Sequence, residues 1–377
     1  MSDHPLALAE QPVVADSPAR PGRRLKVRHV VTSLAAVVAL AVPLYAERFW
    51  LQLALFAFAA AVAALGLGLL LGQAGQLSLG HSFFVAVGAY GYTFLASQSR
   101  TVGVSHQAGA ALPPVLAAVL AVLLAGVAGV LFSPIAARLR GIYLGIASLG
   151  LVFGGQHLLF NAPTLTGGFN GRNVPPFALF GMRFDSPPDE TLFVLGVPFG
   201  REHKLWYLGL AVAVGAFLYH RNLVRGRPGR ALRAVRDREL MAGIIGVPVT
   251  RYKAYAFLIS SMYAGLGGVL LALAFGRIVP ETFGVAMSIE FLAMVVIGGL
   301  GSGAGAVLGA VFVSCLPTVL TRYADVLPGL APAGTEGVSP AVAAKFVYGA
   351  AVILLLLVEP GGAAAIGRRL FRLKPTR

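Results

Sequence analysis

The sequence predicts an all-α polytopic membrane protein with about ten transmembrane helices. Hydrophobic residues make up 57% of the 377-residue chain and charged residues only 12%, and the mean hydropathy is +0.79. Apolar runs recur along the whole chain, many of them close to the roughly 20 residues that an α-helix needs to cross a bilayer. We therefore expect one membrane domain rather than two soluble domains.

Ten apolar segments carry this prediction. They cover residues 30–45, 49–72, 82–97, 113–134, 141–160, 206–222, 254–276, 287–300, 304–320 and 343–358. An even number of crossings places both termini on the same side of the membrane. The predicted organisation is an N-terminal arm over residues 1–29, a transmembrane domain over 30–358 and a basic tail over 359–377.

The distribution of charge predicts the orientation. Cations cluster in short loops and in the tail, as they do on the cytoplasmic side of membrane proteins. Arg138 and Arg140 belong to one such loop, and residues 223–253 form the longest. The 161–205 loop carries four cations and four acids, so it is predicted to lie outside. The net charge of +15 then follows from membrane topology, and no nucleic-acid partner is expected.

Two interruptions break the apolar pattern, at residues 72–82 and 298–305. The first, GQAGQLSLGHS, contains the polar side chains Gln73, Gln76, Ser78 and His81 and the helix-break glycines Gly72 and Gly80. The second, GGLGSGAG, contains the helix-break glycines Gly298, Gly299 and Gly301. Non-helical backbone at membrane depth is tolerated only where it is buried in protein or lines a watery cavity. The first break is predicted to line a translocation pathway, and the second has close helix packing through small residues as an equal alternative.

Glu290 is an acidic residue a few positions inside an apolar segment. Such residues normally face the interior of a helix bundle, because a charge in lipid is costly. Glu290 is therefore a second candidate for the pathway, where it could bind an ammonium group. The alternative is a structural clamp on neighbouring helix donors, and for His81 the alternative is a packing role.

Motifs that carry chemistry are missing from the sequence. It has no G-x-x-x-x-G-K-[ST], H-E-x-x-H or G-x-S-x-G and no Cys/His spacing typical of a metal site, and Cys315 is its single cysteine. We expect no catalytic residue, no metal and no cofactor bound by this chain. If ATP drives the protein, another chain hydrolyses it.

The longest charged run inside the apolar domain is GRPGRALRAVRDRELMAGIIGVPVTRYK, residues 226–253. Pro228 can open a helix there, and Gly243 or Gly246, followed by Pro248, can close it. One face of that helix carries Leu232, Val235, Glu239 and Ala242. The spacing predicts a short helix that contacts a cytoplasmic partner through this face, and the alternative is a solvated basic loop.

These stretches together resemble the LivM-type permeases of branched-chain amino acid ABC importers. The resemblance covers most of residues 62–320 and rests on GQAGQLSLGHSFFVAVGAY, RLRGIYLGIASLGLVF, LTGGFNG and SIEFLAMVVIGGLGSGAGAVLGA, in the order and spacing of that family. The basic run resembles the family's coupling loop, here residues 223–253, which docks on an ATPase subunit. Two departures concern the substrate: Phe169 stands where relatives often have Pro, and residues 154–156 lack an acid.

The resemblance implies a permease domain that pairs with a homologous LivH-type permease, two ATPase subunits that bind the ATP, and an extracytoplasmic substrate-binding protein. It implies import across the bacterial cytoplasmic membrane, with both termini cytoplasmic. The substrate would be a branched-chain amino acid, or a related small polar molecule such as urea, a short amide or another amino acid. A helix within 229–246 would act as a lever between outward- and inward-open states. The main alternative is a self-sufficient secondary transporter or channel, and a membrane-embedded enzyme is a third class.

Overall fold

The computed structural model describes residues 37–102, 105–179, 182–184, 192–194, 197–324, 339–358 and 362. The predicted arm at 1–29 lies outside these residues, and so does the tail at 359–377 except for Gly362. The chain divides into two compact units, Met1–Tyr45 and Ala46–Arg377. Residues 37–45 are helical and belong to the first unit. Everything described below belongs to the second unit.

The second unit is built mainly from α-helices. In chain order they are α1 (Arg48–Gly72), α2 (His81–Ala96), α3 (Pro114–Arg138), α4 (Ile142–Asn161), α5 (Pro163–Thr166), α6 (Arg201–Arg225), α7 (Arg227–Asp237), α8 (Glu239–Ile244), α9 (Val249–Phe275), α10 (Val285–Gly298), α11 (Gly303–Arg322) and α12 (Pro340–Val358). Single 3₁₀ turns cover Gly168–Asn170 and Pro280–Phe283. Each apolar segment predicted between residues 49 and 358 overlaps one helix of this set, so the helical fold class is confirmed.

Five of the described helices are long and apolar enough to cross a membrane. They are α1, α3, α4, α9 and α11. Residues Val285–Gly298 and Val342–Leu354 form shorter apolar helices, and α6 carries charges at both of its ends. The count of about ten crossings therefore stays a prediction, and the structure shows five helices of this kind among the described residues.

Helices α1 and α9 form the centre of the unit. Both are buried over most of their length and pack against each other. The sequence of α1 is apolar on every side, which suits a helix surrounded by others. Helix α9 also contacts α2 and α3, and α1 also contacts α6, α10 and α11. The breaks that follow α1 and precede α11 are therefore held close to the core.

Short strands lie in the loops, which the all-α prediction missed. They pair as β1 (Arg100–Val102) with β2 (Ser105–Gln107), β3 (Arg172–Asn173) with β8 (Arg277–Ile278), β4 (Ala178–Leu179) with β5 (Met182–Arg183), and β6 (Leu192–Val194) with β7 (Val197–Phe199). All four pairs are antiparallel. Pairs of two or three residues leave no alternating pattern in a sequence. The β3–β8 pair joins the 161–205 loop to the end of α9.

Candidate functional site

The middle of the basic segment, residues 223–253, folds as two helices rather than one, between the end of α6 and the start of α9. Helix α7 ends at Asp237 and α8 begins at Glu239, because the backbone of Arg238 leaves the helical region with φ −150° and ψ 88°. Pro228 lies in the first turn of α7, as predicted. The prediction of a single helix over 229–246 was wrong at Arg238. Gly246 ends α8 with φ +87°, a backbone conformation that favours glycine.

The apolar face predicted to contact a partner is instead turned into this chain. The side chains of Leu232, Val235 and Ala242 are buried, and Leu232 belongs to the main hydrophobic core. The spacing correctly marked a buried face, but the chain's own helices bury it. The expectation that these three side chains contact a partner was therefore wrong. A coupling role for the segment stays a prediction.

Four apolar side chains on the opposite side of α8 are exposed. This exposed apolar group consists of Leu240, Met241, Ile244 and Ile245, each more than half exposed. Large apolar side chains gathered within six residues of a basic loop are unusual for a solvated surface. The sequence reasoning missed them, although the run LMAGII among charged residues was the available signal.

Glu239 is held inside this region by two cations. Its Oε1 lies 2.8 Å from Nζ of Lys253 on α9, and its Oε2 lies 3.3 Å from Nε of Arg140, between α3 and α4. The Lys253 side chain is buried, and the approach of its ammonium to the carboxylate lies outside hydrogen-bond geometry. The contact is therefore an ion pair. Glu239 ties α8 to the bundle rather than offering a charge to the surface.

Two arginines of α7 extend to the first helix break. Arg236 donates from Nη1 to the carbonyl oxygen of Gly72 at 2.6 Å, and Arg233 donates from Nη1 to Oε1 of Gln73 at 3.0 Å. Gly72 is the last residue of α1, where carbonyl oxygens lack partners within the helix and carry partial negative charge. The basic segment thus caps the end of the central helix, a contact that sequence reasoning missed because no local pattern indicates it.

The two helix breaks meet each other at Gly72 and Gly301. A Cβ added to Gly72 would overlap the backbone nitrogen of Gly301, so the two backbones are in direct contact. Gln73 reinforces the contact, since its Nε2 donates to the carbonyl oxygen of Gly301 at 3.0 Å. Gly301 has φ +83°, which favours glycine at this position. We call Gly72, Gln73 and Gly301 the break junction.

The other polar residues of the first break have partners inside the protein. Nε2 of His81 lies 2.8 Å from the carbonyl oxygen of Ala63, and its ring contacts Phe291 edge to face. The hydroxyl of Ser78 accepts from the backbone N–H of Gly80 at 3.3 Å. Gln76 is also buried, and its Nε2 donates to the carbonyl oxygen of Ala74 at 3.4 Å, whereas its Oε1 has no hydrogen-bond partner. A pathway role for these residues stays a prediction, and the contacts of His81 favour the packing alternative.

The second break and the glycine that precedes α2 are closely packed. A Cβ on Gly298 would overlap the backbone of Gly305, so α10 and α11 approach through small residues. Gly299 separates these helices with φ +103°. A Cβ on Gly80 would lie 3.0 Å from the carbonyl oxygen of Ser148 on α4. Packing is therefore the observed role of Gly80 and Gly298.

Glu290 lines two mainly apolar cavities. A cavity of about 300 Å³ is lined by Phe56, Leu271, Glu290, Met294, Ser314 and Thr318, among others. A second, of about 520 Å³, is lined by Glu290, Lys345 and Tyr348 with small and aliphatic side chains. The four polar residues of the first break line neither cavity. Neither of these cavities is therefore shared by Glu290 and the four polar residues with which it was grouped.

A polar cavity of about 530 Å³ lies between the end of α2, the 161–205 loop and the residues that follow α9. Arg100, Arg172 and Arg277 are among its lining residues. Arg172 is buried and donates to the carbonyl oxygen of Leu165 at 2.8 Å, and burial lowers the pKa of its guanidinium. Among the described residues, no group of three His, Cys, Asp or Glu side chains could hold a metal ion.

Long apolar helices packed around a junction of two helix breaks, with a basic segment attached to that junction, define a helical membrane protein. The chain belongs to the family described as branched-chain amino acid transport system / permease component, whose family model matches residues 49–356. It is a permease component and a multi-pass protein of the inner membrane. The family resemblance stated from the sequence motifs is confirmed.

Three curated relatives illustrate the similarity. The LivM permease protein of the high-affinity branched-chain amino acid transport system of Salmonella typhimurium is 34% identical over 304 residues, covering 78% of this chain and 68% of the relative. The corresponding LivM of Escherichia coli is 33% identical over 303 residues, with the same coverage. The LivH permease protein of the Salmonella typhimurium system is 32% identical over 97 residues, covering 26% of this chain and 31% of the relative. No solved structure gives a significant match.

Proposed function

We propose that this chain is a membrane-spanning subunit of an ATP-driven importer of branched-chain amino acids. The two LivM relatives are named for branched-chain amino acid transport, and they match most of this chain. Urea, short amides and other amino acids are the alternative substrates, and a self-sufficient secondary transporter or channel is the alternative class. ATP would be hydrolysed by partner subunits, and this chain would catalyse no reaction.

One observation carries the proposal: the basic segment has one face anchored in the bundle and an apolar face exposed. Leu232 and Ala242 are buried, Glu239 is paired with Lys253, and the exposed apolar group points away from the bundle. A segment built in this way is rigid enough to transmit a force and apolar enough to dock on a protein. The occupant that we propose for the exposed apolar group is one of two ATPase subunits.

The proposed assembly also contains a second permease and a binding protein. Salmonella typhimurium has both a LivM and a LivH permease protein for branched-chain amino acid transport, and this chain is similar to both. This similarity supports a partner permease of the LivH type. An extracytoplasmic substrate-binding protein would deliver the substrate to the side of the membrane that carries the 161–205 loop. Substrate would then pass between the two permeases as the ATPases close and open.

The orientation of the chain can be tested by labelling single cysteines. The positive-inside bias predicts that both termini and the basic segment lie in the cytoplasm. In a Cys315→Ser background, an impermeant thiol reagent added to intact cells should label Asn173→Cys in the 161–205 loop and leave Arg230→Cys on α7 unlabelled. Both positions are exposed. Labelling of Arg230→Cys alone would invert the proposed topology.

The substrate class can be tested in cells. A deletion strain should lose high-affinity uptake of labelled leucine and regain it with a plasmid copy of the gene. Unlabelled isoleucine and valine should compete with the leucine, whereas urea and acetamide should not. The deletion could instead leave leucine uptake unchanged and abolish uptake of urea or acetamide. That result would reject the branched-chain amino acid assignment and keep the permease class.

A further inference from the structure

The only arginines of α7 that donate to the break junction in this structure are Arg233 and Arg236. Arg236 donates to the carbonyl oxygen of Gly72. Arg233 donates to Oε1 of Gln73 and, at 3.0 Å, to the carbonyl oxygen of Val224 near the end of α6. Gln73 in turn donates to the carbonyl oxygen of Gly301. A chain of hydrogen bonds therefore runs from α7 through Gln73 to the turn between α10 and α11.

Close packing makes this chain of contacts stiff. The backbones of Gly72 and Gly301 touch, and a Cβ added to Gly75 would lie 2.6 Å from Cγ of Arg236. Gln73 is buried, so its two hydrogen bonds replace contacts with water that it cannot make. Neither break can shift without moving the other or breaking these bonds. Arg236 also pairs with Asp237 at 2.8 Å, which fixes its guanidinium on α7.

We infer that Arg233 and Arg236 are positioning residues that transmit movement of the basic segment to both helix breaks through Gln73. The inference rests on the proposed coupling role of the segment and adds the route by which coupling enters the membrane domain. Arg233 and Arg236 move with α7, and the ends of α1 and α10 and the start of α11 follow. The charge on each arginine matters, because hydrogen bonds from a cation are about twice as strong as neutral ones.

The test uses the complete complex of this chain with its partner permease, ATPases and binding protein in proteoliposomes. The quantity measured is the amount of labelled leucine accumulated per ATP hydrolysed. Arg233→Leu removes the bond to Gln73, and Arg236→Leu removes the bond to Gly72. Gln73→Glu keeps an acceptor for Arg233 but removes the donor to Gly301. Each variant should lower the accumulation of leucine per ATP by about tenfold. Loss of one charge-assisted or buried hydrogen bond shifts a two-state equilibrium by about this factor.

Two further variants separate transmission from simple damage. Arg227→Leu removes an exposed cation of the same helix that makes none of these contacts, so it should behave as the parent protein does. Arg233→Lys keeps the charge and should recover part of the accumulation per ATP. The variants should still co-purify with the partner permease and the ATPases and should still hydrolyse ATP, because transmission is lost while assembly remains.

The inference is overturned if Gln73→Glu and Arg233→Leu assemble and accumulate leucine per ATP as the parent does. It is also overturned if Arg227→Leu is as defective as they are, because loss of charge would then explain the effect. If Arg233→Leu does not assemble, the same criterion is applied to Gln73→Glu and Arg233→Lys: accumulation of leucine per ATP equal to that of the parent overturns the inference. A parent complex that accumulates no leucine would reject the proposed function instead, so the two failures are distinguishable.

Discussion

Nζ of Lys253 lies 2.8 Å from Oε1 of Glu239, which joins the beginning of α9 to the first residue of α8. The lysine side chain is 1% exposed and the glutamate side chain 25% exposed. A buried ammonium is costly without a partner, because its hydration is lost. The pair therefore keeps α8, with its exposed apolar group, in a fixed position on the central helix α9.

We predict that Glu239→Gln lowers the free energy of unfolding by about 1–3 kcal/mol, less than for a fully buried pair because Glu239 is partly exposed. The double variant Glu239→Gln with Lys253→Met should recover most of this loss, since no unpaired buried cation remains. Glu239→Arg should be worse than Glu239→Gln, because it places a third cation beside Arg140 and Lys253. Chemical denaturation of the parent and the three variants measures these differences. A double variant less stable than Glu239→Gln would contradict the ion-pair account.

Ile244→Asp should reduce recovery of the ATPase subunits with this chain while leaving membrane insertion intact. The Ile244 side chain is 78% exposed, so it adds little to the stability of the chain alone, and a carboxylate there would be desolvated in the proposed interface. Phe169→Asp is the matched control, because Phe169 is 82% exposed but lies in the 161–205 loop. Affinity purification through this chain measures the recovery of ATPase. Equal recovery of the ATPase subunits with both variants would contradict docking through the exposed apolar group.

Gln76→Leu should slow leucine uptake and leave the assembled complex as stable as the parent or more stable. Oε1 of Gln76 is buried without a partner, and replacing such a group by an apolar side chain of similar size is neutral or stabilising. Slower uptake would then reflect passage of the substrate and not damage to the fold. Uptake and the unfolding midpoint are measured on the same preparation. Full uptake by a stable complex would defeat the pathway role, and loss of assembly would favour packing.

The sequence predicted the helices and their interruptions well, because both depend on local composition. Helix α1 ends at Gly72 and α2 begins at His81, within the predicted break at 72–82. The second break was predicted equally closely, since α10 ends at Gly298 and α11 begins at Gly303. Long apolar runs and clusters of glycine are signals that the chain carries without reference to its neighbours.

Contacts between distant parts of the chain could not be predicted in this way. Gln73 and Gly301 are 228 positions apart, and nothing in either break indicates the other. The apolar spacing of Leu232 and Val235 identified a buried face, but it could not say whether this chain or a partner buries it. The acceptors of Arg233 and Arg236 include backbone oxygens, which every residue has. From the sequence alone, an arginine that caps a distant helix end therefore cannot be distinguished from an arginine that is exposed to solvent.

The most direct test of the proposed function is leucine accumulation in proteoliposomes that contain this chain with or without its partners. With the partner permease, both ATPases, the binding protein and ATP, labelled leucine should reach an internal concentration above the external one. This chain alone should show neither ATP hydrolysis nor accumulation, with or without an ion gradient. Accumulation of leucine by the purified chain alone, driven by a proton or sodium gradient, would contradict the account and establish a secondary transporter.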